Sequence, residues 1–253
     1  MTALRNELEP VSRGRIWLWR SFVLLGVAIF AWSVRDREWD VVWKGAGFLS
    51  RGLATSVEFA VLALMFGAAL AVPLVIARTY GPAGIRHIAI AIIEIIRGTP
   101  ELMVVIWVFF FFPAVFGKGI SNWIAGLISL TLIACVYLAE VIRGGLRSVP
   151  SGQWEAGHST GLTPAQTFFH IVLPQALRNM LPAFVAQVVM LFKTTSLVYA
   201  VGVIEFFRSV VTLNNIDAAP VALYTTMAVV YFICCSALSW AVRKLDPAYQ
   251  IYE

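Results

Sequence analysis

The chain has 253 residues, of which 60% are apolar and only 13% charged, and its mean hydropathy is +0.82. A soluble domain carries about 25% charged residues, so composition excludes a soluble globular protein and points to an integral membrane protein. The net charge of +5 calls for no nucleic acid, because cationic loops on the cytoplasmic side of a membrane suffice.

Residues 1–15 form a polar tail, and 16–34 a first apolar span with Arg20 able to snorkel to the interface. That run ends in Val34-Arg35-Asp36-Arg37 rather than at a small-residue cleavage site, so no cleavable leader is expected. A charged, aromatic loop covers 35–51. The second span is expected at 53–77, with Pro73 near its end. Residues 78–99 are mixed and read as an interfacial or partly inserted helix that stops at Arg97-Gly98-Thr99-Pro100. Further spans are expected at 101–116, 123–142, 177–204 and 221–242, each near the ~20 residues that cross the hydrocarbon. The expected fold is an all-α polytopic bundle of about six transmembrane helices, divided into 1–47, a core of 48–246 and a tail of 247–253. Cys135, Cys234 and Cys235 fall inside apolar segments and read as packing residues, with no metal site.

Between the fourth and fifth spans lies a polar island, 151–174. Ser151 reads as the N-cap of a short helix with Glu155 in its opening turns. Gly161 suits the left-handed conformation that ends it. Thr163 then caps a second helix, with Pro164 at its first position and Gln166 completing a capping box. Ala165, Phe168, Phe169 and Val172 fall on one face, and Pro174 is expected to close the helix. Two short helices at a sharp angle outside the hydrocarbon read as a docking knob for another protein. His158 and His170 within it are expected to be solvated or at that partner's surface.

Glu155, Ala156, Gly161, Ile171, Leu173 and Pro174, with Leu162 beside Gly161, resemble the cytoplasmic loop of ABC importer permeases, whose pattern is E-A-A-x3-G-x9-I-x-L-P. Gly157 departs from it, where Ala is usual, which is expected to weaken the first helix slightly. Residues 139–153, 191–206 and Arg97-Gly98-Thr99-Pro100 resemble one subfamily, the permeases for polar amino acids. The resemblance covers 48–246; the extra first span and the Lys193-Thr194-Thr195-Ser196 run are departures from it. It implies a second permease subunit, two ABC ATPase subunits that use ATP and Mg, and a substrate-binding protein outside. The Ser196-Leu197-Val198-Tyr199 run is most similar to glutamate/aspartate permeases; glutamine, histidine or arginine are the alternatives, and an ion-gradient-driven secondary transporter is a distant one.

A charged side chain at mid-membrane costs about 2.5–3.5 kcal/mol on insertion scales and usually faces a cavity or a partner. Lys193, Thr195 and Ser196 are therefore candidates for the substrate path; the alternative is a structural lysine paired with Glu140. Glu140 and Arg143, spaced i, i+3, suit a pair at a gate, and Glu94 with Arg97 repeats the spacing. Arg97 is the remaining path candidate. No phosphate loop, nucleophile elbow or zinc motif is present, so the chain reads as a transport subunit, not an enzyme. With the docking loop inside, Lys and Arg number twelve on the cytoplasmic side against six outside. That bias places both termini in the cytoplasm of a bacterial inner membrane.

Overall fold

A computed structural model of the protein describes residues 38–244 together with Trp17, Ser21, Leu24 and Leu25. The rest of the expected first span, with Arg20, and the 247–253 tail lie outside the described residues. From residue 38 on, the elements are α1 (Asp40–Lys44), α2 (Ala46–Tyr80), α3 (Ala83–Gly98), α4 (Glu101–Phe116), α5 (Asn122–Arg147), α6 (Ser151–Ser159), α7 (Pro164–Thr167), a π turn (Phe168–Val172), α8 (Leu173–Thr194), a 3-10 segment (Thr195–Val201), α9 (Phe206–Asp217) and α10 (Pro220–Lys244). Among the described residues, four helical runs are long and apolar enough to cross a membrane, and the bent pair α3–α4 makes a fifth if it counts as one span.

The expected span of 53–77 is a helix of 35 residues. At ~1.5 Å per residue it runs about 50 Å, well beyond the ~30 Å of hydrocarbon. Hydropathy marked only the stretch that matches the apolar layer. Ser50 and Arg51 continue the helix outward on one side, and Arg78 to Tyr80 on the other, until Gly81-Pro82 stops it. Pro73 stays inside the helix, as transmembrane helices tolerate.

In lipid no hydrophobic effect drives apolar helices together, so close packing of small residues takes its place. The buried stripe of α2 is Gly52, Ser56, Phe59, Ala63, Gly67, Ala71 and Val75, mostly small and mostly four apart. It faces α5, whose buried Ala125, Gly126, Ser129, Leu130, Ile133 and Ala134 answer it. The two helices touch at Gly67, where a Cβ would come 2.6 Å from the Ala134 Cβ. The contacts advance together along both helices, from Phe59 with Trp123 through Gly67 with Ala134 to Arg78 with Glu140, so the pair runs parallel. It is the centre of the core, and α3, α4, α8 and the 3-10 segment pack round it.

The helix expected to stop at Pro100 does stop there. Thr99 is forced extended by the proline after it (φ −100, ψ 139), and α4 leaves at 113° to α3. Helix α3 is amphipathic: Ala89 and Ile93 are buried, while Ile85, Ile88, Ile92 and Ile95 form an exposed stripe.

At the end far from the docking loop, Glu205 caps α9. Its carboxylate accepts from the Phe207 and Arg208 amides, both at 2.8 Å, and from the Ser56 hydroxyl of α2 at 3.2 Å. It is fully buried and lies in the connection between candidate spans. Burial pushes its carboxyl up to about 7 against those donors.

The tight α2–α5 contact makes a direct prediction. Gly67→Val is expected to lower the thermal unfolding midpoint of the detergent-solubilised protein, at a cost of about 1–3 kcal/mol. Gly47→Ala, in the same helix but with open space around it, leaves the midpoint unchanged or slightly raised. Equal midpoints for the two variants would contradict this packing.

Candidate functional site

The docking loop forms two short helices joined at Gly161, as the local rules dictate, with three differences. Gly161 is left-handed (φ +79), and its turn is closed by the Leu162 amide donating to the Gly157 carbonyl at 3.2 Å. The capping box is complete: the Gln166 amide donates to Thr163 Oγ1 at 3.3 Å, and Gln166 Oε1 accepts from the Thr163 amide at 2.9 Å. The first difference is that Pro150, not Ser151, is the N-cap of α6, and Ser151 makes no capping bond.

The second difference is larger. Pro174 does not close the second helix; it lies in the first turn of α8. The chain widens into a π turn in which the Leu173 amide donates to the Phe168 carbonyl, and helix continues to Val201. The wider turn re-registers the ladder just where Pro174 has no N–H to give. It also rotates the expected apolar face: Val172 is buried while Phe169 swings out to 61% exposure.

The third concerns Gly157. It is not merely a weaker helix residue: it is buried, and a Cβ there would meet the Thr167 hydroxyl at 2.6 Å. Glycine lets α6 lie directly against α7, and the alanine usual at this position would collide with Thr167.

The loop has its own small core. Val149, Val172 and Ala176 are buried, with Trp154, Phe168, Leu146 and Met180 packed on them. Trp154 and Phe168 lie 6.2 Å apart between ring centroids. The Gln175 amide nitrogen donates to Gln153 Oε1 at 3.1 Å, and the Asn179 amide nitrogen to Ser148 Oγ at 2.8 Å. The loop is thereby fastened to the last turn of α5 and the first turns of α8. Outside that core, Glu155, Ala156, His158, Gly161 and Pro174 are exposed, and Leu162, Ile171 and Leu173 are half-buried.

The second cluster centres on Glu140. Arg143 donates to Oε2 at 2.5 Å through Nη2, Arg97 reaches Oε2 at 3.5 Å, and Arg78 makes a short contact with Oε1. The expected Glu140–Arg143 pair forms. The expected Glu94–Arg97 pair does not: Arg97 turns to Glu140 and to the Tyr137 ring at 6.0 Å, and Glu94 lies 4.0 Å from Arg78. One carboxylate thus joins α2, α3 and α5. Sequence reading placed Arg78 only in the charge bias. The signal it missed was that a carboxylate inside a span needs a partner from another helix at the same depth.

Lys193, Thr195 and Ser196 are brought together at the change from α8 to the 3-10 segment. Lys193 is exposed, and no carboxylate of the described residues pairs with it, so the alternative pairing with Glu140 is absent. Thr195 is fully buried and donates to the Phe192 carbonyl at 2.7 Å, and Ser196 donates to the Lys193 carbonyl at 2.8 Å. The neighbouring Thr194 donates to Glu101 Oε2 at 3.0 Å, tying α8 to the first turn of α4. Glu101 is a contact that spacing alone could not reveal.

Removing one partner of an enclosed ion cluster leaves the others unpaired, at a cost of about 3–5 kcal/mol. Glu140→Ala is expected to lower the unfolding midpoint sharply, and Arg97→Gln, whose side chain is 38% exposed and more distant, only slightly. Melts that respond equally to the two would contradict Glu140 as the shared centre.

Comparison with known proteins agrees with this geometry. The glutamine transport system permease protein GlnP of Escherichia coli K12 is 31% identical over 215 residues, covering 85% of this chain and 98% of that one. The glutamate/aspartate import permease protein GltK of Escherichia coli O6:H1 is 29% identical over 215 residues, 82% of this chain and 96% of that one. A crystal structure of an amino acid ABC transporter with histidines superposes with a TM-score of 0.78 at 25% identity, over 83% of this chain and 97% of that one. Residues 63–251 match the family described as the binding-protein-dependent transport system inner membrane component. The chain belongs to that family.

Proposed function

We propose that the protein is the permease subunit of an ABC importer for a polar amino acid, with glutamate and aspartate the preferred cargo. The observation that carries this reading is the docking loop, an exposed knob fastened by its own core to α5 and α8. A surface so built transmits displacement into the bundle instead of absorbing it. The ATPase subunits, using ATP and Mg, would close together and pull on two such loops, one in each of two permease subunits. The path would then open outward to receive the amino acid from its binding protein.

Transporter sites commonly form where a transmembrane helix is discontinuous. In this chain the α8-to-3-10 change is one such place, and Lys193, Thr195 and Ser196 there are the proposed wall of the path, with Lys193 suited to a carboxylate. Glu140, Arg143 and Arg97 would form the gate on the docking side. Both termini are expected on the cytoplasmic face of the bacterial inner membrane. Relatives with glutamine and glutamate/aspartate in their names are about equally similar. The glutamate preference therefore rests on the Ser196-Leu197-Val198-Tyr199 run alone, with glutamine, histidine or arginine as the second reading.

Gly161→Val forces a β-branched residue into the left-handed region, and Glu155→Lys reverses an exposed charge. Both are expected to insert normally yet lose most of the co-purifying ATPase and of ATP-driven uptake in vesicles containing the binding protein. Uptake of labelled glutamate should be competed by unlabelled aspartate before glutamine, histidine or arginine. Normal ATPase retention and transport in both variants would overturn the docking reading; competition by another amino acid first would overturn only the cargo.

A further inference from the structure

A cavity of about 630 Å³ lies between the docking loop and the ends of α2, α3 and α5. Its polar wall carries four guanidinium groups, Arg78, Arg86, Arg143 and Arg147, with His87 beside them. The carboxylates at hand are already engaged, Glu140 by Arg78, Arg97 and Arg143, and Glu94 by Arg78. Arg86 and Arg147 pair with no carboxylate among the described residues. The cavity therefore has an uncompensated positive charge from at least two guanidinium groups, with the Thr79 hydroxyl also on its wall.

Its position is equally informative. Arg86 and His87 stand on the polar side of α3, while Ile85, Ile88, Ile92 and Ile95 form the exposed stripe on the other side, 42–62% exposed. A helix with that division lies in the plane of the membrane interface, its apolar side in the acyl layer and its basic side at headgroup level. Exposed Tyr80 beside the cavity matches the aromatic belt found at that depth. The rest of the lining, Ile90, Leu146, Trp154 and Phe168, is apolar. An inorganic ion would leave that part of the space unfilled; a glycerol backbone and the root of an acyl chain would cover it.

We propose that this cavity binds the phosphate of an anionic phospholipid from the leaflet on the docking-loop side, with Arg86 and Arg147 as its principal cationic contacts. Because Trp154 and Phe168 belong to the docking loop, the bound lipid bridges the loop and the α2–α3 turn. The site requires the docking loop to lie at a membrane surface. It does not require the identity of the cargo.

The test uses the full-length permease, without its partners, in bilayer discs of phosphatidylcholine containing a minority of phosphatidylglycerol. Native mass spectrometry reads the lipid retained on release. The wild-type chain is expected to retain phosphatidylglycerol in preference to phosphatidylcholine. Arg86→Gln and Arg147→Gln should each lower that preference about fivefold, the effect of one cation near the membrane surface. Arg86→Lys should retain most of it, and Lys118→Gln, a cation at the far end of the bundle, all of it. Neither arginine belongs to the Glu140 cluster, and an unchanged unfolding midpoint confirms intact folding. No preference in the wild type, a preference that survives both arginine substitutions, or one that falls equally with Lys118→Gln overturns the site. Displacement by millimolar inorganic phosphate overturns the lipid as its source. Displacement by glutamate makes the cavity part of the cargo path and also overturns the proposal. Transport is not read, so failure here is separate from failure of the permease reading.

Discussion

The bundle is organised by a carboxylate that cannot be left alone. Glu140 is 15% exposed inside α5, and three guanidinium groups from α2, α3 and α5 converge on it. Apolar helices in lipid slide and rotate against one another at little cost, since one greasy face is as good as the next. A shared ion cluster removes that freedom, because any slip leaves a charge enclosed without its partner. At the other end of α2, Ser56 and Glu205 do the same for α9. Between these two polar ties the small-residue stripe of α2 lies on α5, and the closest approach, at Gly67, needs the register that the ties set.

The cluster is also what the docking loop is anchored to. Arg143 and Arg147 lie one turn apart on α5, and the loop core begins two residues later at Val149. Movement imposed on the exposed face of α6 therefore reaches Glu140 through one continuous helix and reaches the 3-10 segment through α8. The π turn at Phe168 and the 3-10 segment from Thr195 lie along the second route, and the bend at Pro100 follows Arg97 of the Glu140 cluster. Interruptions of this kind let rigid segments move relative to one another without breaking backbone hydrogen bonds in hydrocarbon.

Local chemistry made the docking loop legible in the sequence. Gly161 and the Thr163–Gln166 box obey rules that span a few residues, and they stand as expected. Pro174 was misread because the rule that proline ends a helix assumes an α-helical ladder, and one π turn removes that assumption. The fit of Gly157 against Thr167, the link from Thr194 to Glu101 and the reach of Arg97 to Glu140 depend on which helices are neighbours. Period and hydropathy do not encode that. Hydropathy located the spans but not their ends, since helix α2 continues past the hydrocarbon at both sides.

If the docking loop passes ATP-driven movement to the bundle, its exposed face must meet an ATPase. A photo-reactive amino acid placed at His158, exposed and free of the loop core, tests it in intact cells. Irradiation should yield one adduct, identified by mass spectrometry as this chain joined to an ABC ATPase subunit, while the same probe at Lys118 yields none with that subunit. An adduct with the ATPase from Lys118 and none from His158 would contradict the account.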